Sequence, residues 1–230
     1  MDDVLQDLFA YAFLICGDRS AALRELLAVL QQNGTASDVR VLLTPLARKL
    51  DRGRADTSIV ILDNLLRREH TPPLPQLQPE EVRALAWALK RACLTATLGC
   101  LSPSIRQAFV LREVMGYSRQ DVAEILGITL NSLGVRLSRA TRRLDGILAV
   151  RCQHYDRLAP CTCTARLGHA LDADFISAPE SWDTPAGSHD ADGPIADVRA
   201  IFRTLPRPVL SAEEAAGLIA LASSRKEIEL

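Results

Sequence analysis

Aromatic residues are scarce in this chain, at 4% of 230, and none occurs between Phe13 and Trp87. A core so poor in rings must be built from Leu, Ala, Val and Ile, a composition that suits helices better than β-sandwiches. Net charge is nearly absent too. The 27 Lys and Arg stand against 28 Asp and Glu, for a formal charge of −1, which taken whole gives no electrostatic reason to bind nucleic acid. No apolar run approaches the roughly 18–20 residues that span a bilayer. The opening MDDVLQDLFA is acidic where a secretory leader would be basic. Both features point to a cytoplasmic protein without membrane insertion. No Gly-rich phosphate loop and no internal repeat occur. With 48% hydrophobic and 24% charged residues, the composition is that of a globular chain, which excludes wholesale disorder, collagen and a long coiled coil.

The apolar pattern is helical throughout. Val4, Leu5, Leu8, Ala12 and Ile15, then Leu23, Leu26, Leu27 and Leu30, recur at steps of three and four, broken by Gly17-Asp18. This predicts two helices joined by a tight turn. Further helices are expected over Val39 to Leu50, interrupted or started late by Pro45, and over Ile59 to Arg68. Four prolines fall in the ten residues from His70 to Pro79, a run that cannot continue a helix and acts as a semi-rigid spacer. Residues 1–70 therefore read as one small helical domain, 71–79 as a linker and 80–151 as a second domain.

Within that second domain Ser102-Pro103 starts one helix, and Ser118-Arg-Gln-Asp121 opens a short one in the manner of a capping box. Gly127 ends the short helix, and Thr129 can cap a successor running to about Val150. A capped helix, a glycine turn and a second, basic helix form the pattern of a helix-turn-helix. Charge counted by segment agrees. Residues 101–151 carry eight arginines against four acidic residues, whereas 170–230 carry five basic against eleven acidic. The near-zero total is thus a +4 module joined to a −6 tail. Arg136, Arg139, Arg142 and Arg143 fall on the second helix, where guanidinium groups would meet phosphates or guanine edges in a major groove. Residues 152–175 hold a Cys/His cluster, and 176–230 read as an acidic linker followed by a tail helix. The fold class is all-α: two small helical domains, the second a helix-turn-helix, with a partly flexible C-terminal extension.

The stretch from Leu101 to Leu144, LSPSIRQAFVLREVMGYSRQDVAEILGITLNSLGVRLSRATRRL, resembles region 4 of bacterial sigma factors of the extracytoplasmic-function class. "VLRE", "GYSRQDVAEILGI" and "RLSRA" carry the likeness over about 44 residues. The resemblance implies a transcription initiation factor whose helix-turn-helix binds the −35 promoter element and docks on the flap of the RNA polymerase β subunit. It implies DNA contacts by Asn131, Ser132, Val135, Arg136, Ser138 and Arg139, with Arg119 at the start of the preceding helix; Arg142 and Arg143 join them by charge. Where this family commonly has Lys or Arg, the chain has Gly134, so one contact is missing and the helix is weakened by about 1 kcal/mol. Upstream, YAFLICGDRSAALRELL resembles the start of sigma region 2, which clamps the polymerase β′ coiled coil, and LLTPLARKLDRGR resembles a later part of it. Two departures mark this half: Arg24-Glu25-Leu-Leu-Ala28 replaces an acidic segment, and the rings that would stack on an unpaired promoter base, worth about 1–3 kcal/mol each, are absent. The alternative is a sigma-like decoy or regulator that binds an anti-sigma factor or polymerase without opening promoters.

Six cysteines complete the inventory. Cys16, Cys93 and Cys100 lie in apolar helical contexts and read as small buried hydrophobes. Cys152, Cys161 and Cys163 lie within twelve residues, with His154 among them and His169 just beyond. Four such donors suit tetrahedral zinc, with His169 an alternative to His154; a thiol redox switch and unrelated structural cysteines are the other two readings. A metal-dependent deaminase or hydrolase finds no Glu beside a ligand, as its H-x-E pattern requires, and the chain reads as a non-enzyme. The acidic tail has three readings of its own: a cover over Arg136 to Arg143, a partner-binding helix, or a solubilising tail.

Overall fold

The computed structural model describes residues 2–34, 36, 38–50, 58–67, 76–176, 197–205 and 207–224. Among them the architecture is all-α, with no strand. Helices α1 (Asp2–Cys16) and α2 (Arg19–Asn33) are joined at Gly17, whose φ of 71° suits the tight turn. The Asp18 carboxylate caps α2 by accepting from the Ala21 N–H at 2.7 Å. Helix α3 (Val39–Leu50) runs through Pro45 rather than breaking there. The proline removes the donor that would meet the Val41 carbonyl, and Val41 is 59% exposed, so water can serve that carbonyl instead.

Helix α4 (Ser58–Arg67) is followed by α5 (Pro79–Thr97), whose first turn is closed by the Gln78 N–H donating to the Glu81 carboxylate at 2.7 Å. Of the proline-rich spacer, residues 71–75 lie outside the described residues. Helix α6 (Pro103–Phe109) passes into one π turn, Val110–Val114. Then come α7 (Arg119–Leu126), α8 (Leu130–Leu148), α9 (Leu167–Asp172), α10 (Val198–Arg203) and α11 (Ala212–Ser224). Of the acidic linker expected after residue 176, residues 177–196 also lie outside the described residues.

The helices form two compact units, and neither is continuous in sequence. The first comprises Met1–Asp56, Leu101–Ala140 and Arg207–Leu230; the second comprises Thr57–Cys100 and Thr141–Pro206. The sequence reading grouped consecutive segments, whereas in the first unit α1 packs on α6 and its π turn, and α3 packs on α7. Two buried side chains of α6 fasten this arrangement. Arg106 Nη1 donates to the Ile15 carbonyl at 2.7 Å, and Gln107 Nε2 donates to the Ala47 carbonyl at 3.0 Å. Local periodicity carries no trace of such partners. In the second unit α5 packs on α4 and also on α9, the latter contact built around Leu85, Leu89, Leu167, Ala170 and Ile176.

The tail segment 207–224 belongs to the first unit, with α11 packed against α2. Leu210, Leu218 and Ala222 are buried, which supplies the apolar drive. Gln6 exchanges two hydrogen bonds with the Leu210 backbone, and Arg207 donates to Asp7 and to the Met115 carbonyl, each at 2.7 Å. Arg19 lies over the Phe9 ring, 4.8 Å from its centre, and donates its Nε to Glu214 at 2.8 Å. Residues 207–224 are therefore seated on α1 and α2, while α10 reaches α8 through Arg199, whose Nε donates to Thr141 Oγ1 at 3.2 Å.

Hydrogen bonds from Arg19 are the main reason that the Glu214 carboxyl is held down at about 2, against an ordinary 4.5. A depressed carboxyl contributes stability above its unfolded value and loses it as pH falls through the folded one. Attachment of α11 should thus be complete above about pH 4.5 and weaken toward pH 2. Proteolysis by pepsin within 207–224 should rise over that window in the parent chain, while Glu214→Gln shows raised cleavage with little further pH dependence. Equal, parallel profiles for the two chains would exclude this role for the pair.

Candidate nucleic-acid interface

Local chemistry sets the helix-turn-helix. Ser118 caps α7 by accepting from the Asp121 N–H at 3.1 Å, and its own hydroxyl donates to the Asp121 carboxylate. That hydroxyl is the first cause holding the Asp121 carboxyl below its ordinary range. Gly127 ends α7 in the left-handed region, φ 63° and ψ 39°, a conformation costly for a residue with a Cβ. Thr129 then accepts from the Ser132 N–H at 3.1 Å and starts α8. Both helix starts and the turn between them are thus specified within about fifteen residues.

Helix α8 is sharply two-sided. Leu133, Leu137, Ala140, Leu144 and Leu148 are buried at three- and four-residue intervals. Opposite them Asn131, Ser132, Val135, Ser138, Arg139 and Arg142 are exposed. This is the stripe that the sequence singled out for DNA. Two of its arginines differ. Arg136 is half-buried, with Nη1 3.4 Å from the Ser104 carbonyl, so it leans toward the start of α6. Arg143, although exposed, lines a cavity of the second unit.

Arg119, the first residue of α7, is exposed. Its Nη2 lies 3.2 Å from the point that a Cβ on Gly134 would occupy. Sequence reading missed one more cation: Arg40 of α3 bonds Asp121 at 3.3 Å as well as Asp38. Its partner is 81 positions away, and no local pattern joins the two.

The Cys/His cluster is gathered at a cavity of about 430 Å³ in the second unit, lined by Cys152, Cys161, Cys163 and His154 together with Cys93 and Cys100. His154, not His169, is the histidine at this cavity. Its Nε2 is 3.3 Å from Cys163 Sγ. Cys152 and Cys161 are paired by a parallel bridge, in which Cys161 N–H donates to the Arg151 carbonyl and Gln153 N–H to the Cys161 carbonyl. Burial pushes both thiols up. The Cys93 thiol is pushed up further, by burial and then by Cys163, Cys161 and Cys152. The sequence treated Cys93 as a plain core residue; α5 instead brings it to the other thiols. None of the six cysteines is joined in a disulfide. Among the described residues no group of three or more Cys, His, Asp or Glu is arranged to hold a metal ion.

Residues 91–144, from the end of α5 into α8, match the family model described as Sigma-70, region 4. This segment is similar to the DNA-binding domain of sigma factors, a transcription-factor module and not an enzyme's. No curated protein and no solved structure matches the chain. Among the described residues no helix is long and apolar enough to cross a membrane.

Proposed function

We propose that the chain is a sigma-type transcription initiation factor of the extracytoplasmic-function class, acting in the cytoplasm on promoter DNA and core RNA polymerase. The observation that carries this reading is α8: an exposed stripe with Asn131, Ser132, Val135, Ser138, Arg139 and Arg142, backed by buried leucines and preceded by a capped helix and a left-handed glycine. Such a helix is set to enter a major groove with its polar stripe on base edges and phosphates. In this reading α7 and α8 meet the −35 element and the β flap, while α1 and α2 meet the β′ clamp. The seat of α11 on α2 lies on that same polymerase-facing pair, where an anti-sigma factor would also compete.

The 3.3 Å approach of His154 to Cys163, beside two more thiols of the original set and Cys93, supports one soft cation such as zinc in the cavity. Cys152, His154, Cys161 and Cys163 are the residues that would hold it, although as described no three of them are arranged around one metal position; binding would release thiol protons. Run-off transcription with core polymerase, with and without zinc, tests both parts. Specific transcripts are expected from a promoter library, together with about one equivalent of zinc in the purified protein. DNA binding without transcripts would assign the chain to the decoy class. Under about 0.2 equivalents of zinc, with no protection of the thiols by added metal, would remove the cation.

A further inference from the structure

Gly134 sits one helical turn from Asn131 and from Ser138, beside the stripe just described, and it leaves the backbone of α8 bare at that point. The gap is occupied. Arg119 reaches across from the first turn of α7 until its Nη2 is 3.2 Å from where a Cβ on residue 134 would stand, closer than an undisturbed side chain allows. Arg119 is otherwise exposed, so this cation lies beside the recognition helix without being buried. In helix-turn-helix docking the first helix crosses the sugar-phosphate backbone while the second enters the groove. A guanidinium at the start of the first helix, leaning on the second, therefore faces a phosphate and not a base edge.

We propose that Gly134 and Arg119 act as one unit: the missing side chain at 134 is a cradle that positions the Arg119 guanidinium on a backbone phosphate of bound DNA. A phosphate contact beside residue 134 is thereby supplied from α7 instead of from α8 itself. Gly134 is the positioning residue and Arg119 the contacting one. This rests on the DNA-binding reading above, but it concerns a single phosphate and not the binding as a whole.

The test is a double-mutant cycle in DNA binding, measured by fluorescence anisotropy on one promoter duplex and one scrambled duplex from about 50 to 200 mM salt. Leu at 134 fills the cradle and favours helix. Gly134→Leu and Arg119→Gln are each expected to weaken binding about three- to tenfold on both duplexes, and to lower the salt slope by about one. The double variant should be no weaker than either single one, whereas Arg139→Ala should add its loss to both. Gly134→Ala, whose Cβ needs only tenths of an ångström, should change affinity less than twofold. Melting of Gly134→Leu at or above the parent temperature shows that the fold is intact. Additive losses in the cycle, an unchanged slope in Gly134→Leu, or an effect confined to one duplex would overturn the proposal while leaving DNA binding in place. A parent chain with no salt-dependent DNA binding would overturn it together with the reading it rests on.

Discussion

Exchanging Arg139 and Arg142 together for glutamate is expected to weaken promoter-DNA binding by about 100-fold or more near 100 mM salt, and to lower the slope of log K against log salt by about two. Both side chains are exposed, three residues apart, on the side of α8 away from Leu137, Ala140 and Leu144. Each arginine set on a phosphate accounts for close to one released counterion, and a carboxylate in its place adds repulsion to the loss. Stability should hardly notice. Exposed substitutions away from caps and cores usually stay within about 0.5 kcal/mol, so melting should shift by no more than about 2 °C. Binding within threefold of the parent chain would mean that this face of α8 does not meet DNA.

Arg106→Ala should instead be a stability lesion, of about 3 kcal/mol, with a melting temperature lower by about 6–12 °C. Arg106 is 5% exposed and spends its guanidinium on carbonyls, with Nη1 on Ile15 at 2.7 Å and Nη2 on Leu101 at 3.3 Å. Ile15 lies in the last turn of α1, where carbonyls lack helical partners and the helix dipole favours a cation. Truncation leaves that carbonyl without this donor and opens a void beneath α6. Arg106→Lys keeps the charge but not the fork, and should fall between the two chains. Urea unfolding of the three proteins measures the series; a loss under about 1 kcal/mol for Arg106→Ala would show that α1 and α6 hold together without this tie.

The parts that were legible in the sequence are those whose chemistry is local. Ser118 and Thr129 each cap a helix through a backbone N–H three residues on, and Gly127 supplies a left-handed turn wherever its neighbours lie. The two faces of α8 follow from leucine spacing alone. Pro45 was misleading for a tertiary reason, since its cost depends on whether water reaches the carbonyl it deprives. Arg136 equals Arg139 as a sequence symbol, but only the structure shows it half-buried and bonded to the Ser104 carbonyl. Cys93 looked like any buried thiol until α5 set it beside residues some sixty to seventy positions later.

Sequence by itself thus determined that the chain is helical, that its near-zero charge is a basic module plus an acidic tail, and that one capped helix pair presents a polar, arginine-bearing stripe. Hydrogen bonds over three or four residues and a helical period suffice for that. Only the tertiary structure decided which segments share a core, that residues 207–224 rest on α1 and α2, that five thiols and an imidazole meet at one cavity, and that Arg119 lies beside Gly134. Each of these depends on pairs far apart in the chain or on opposite sides of a turn, joined by burial and by hydrogen bonds to particular carbonyls and carboxylates. No periodicity along the sequence encodes such partners.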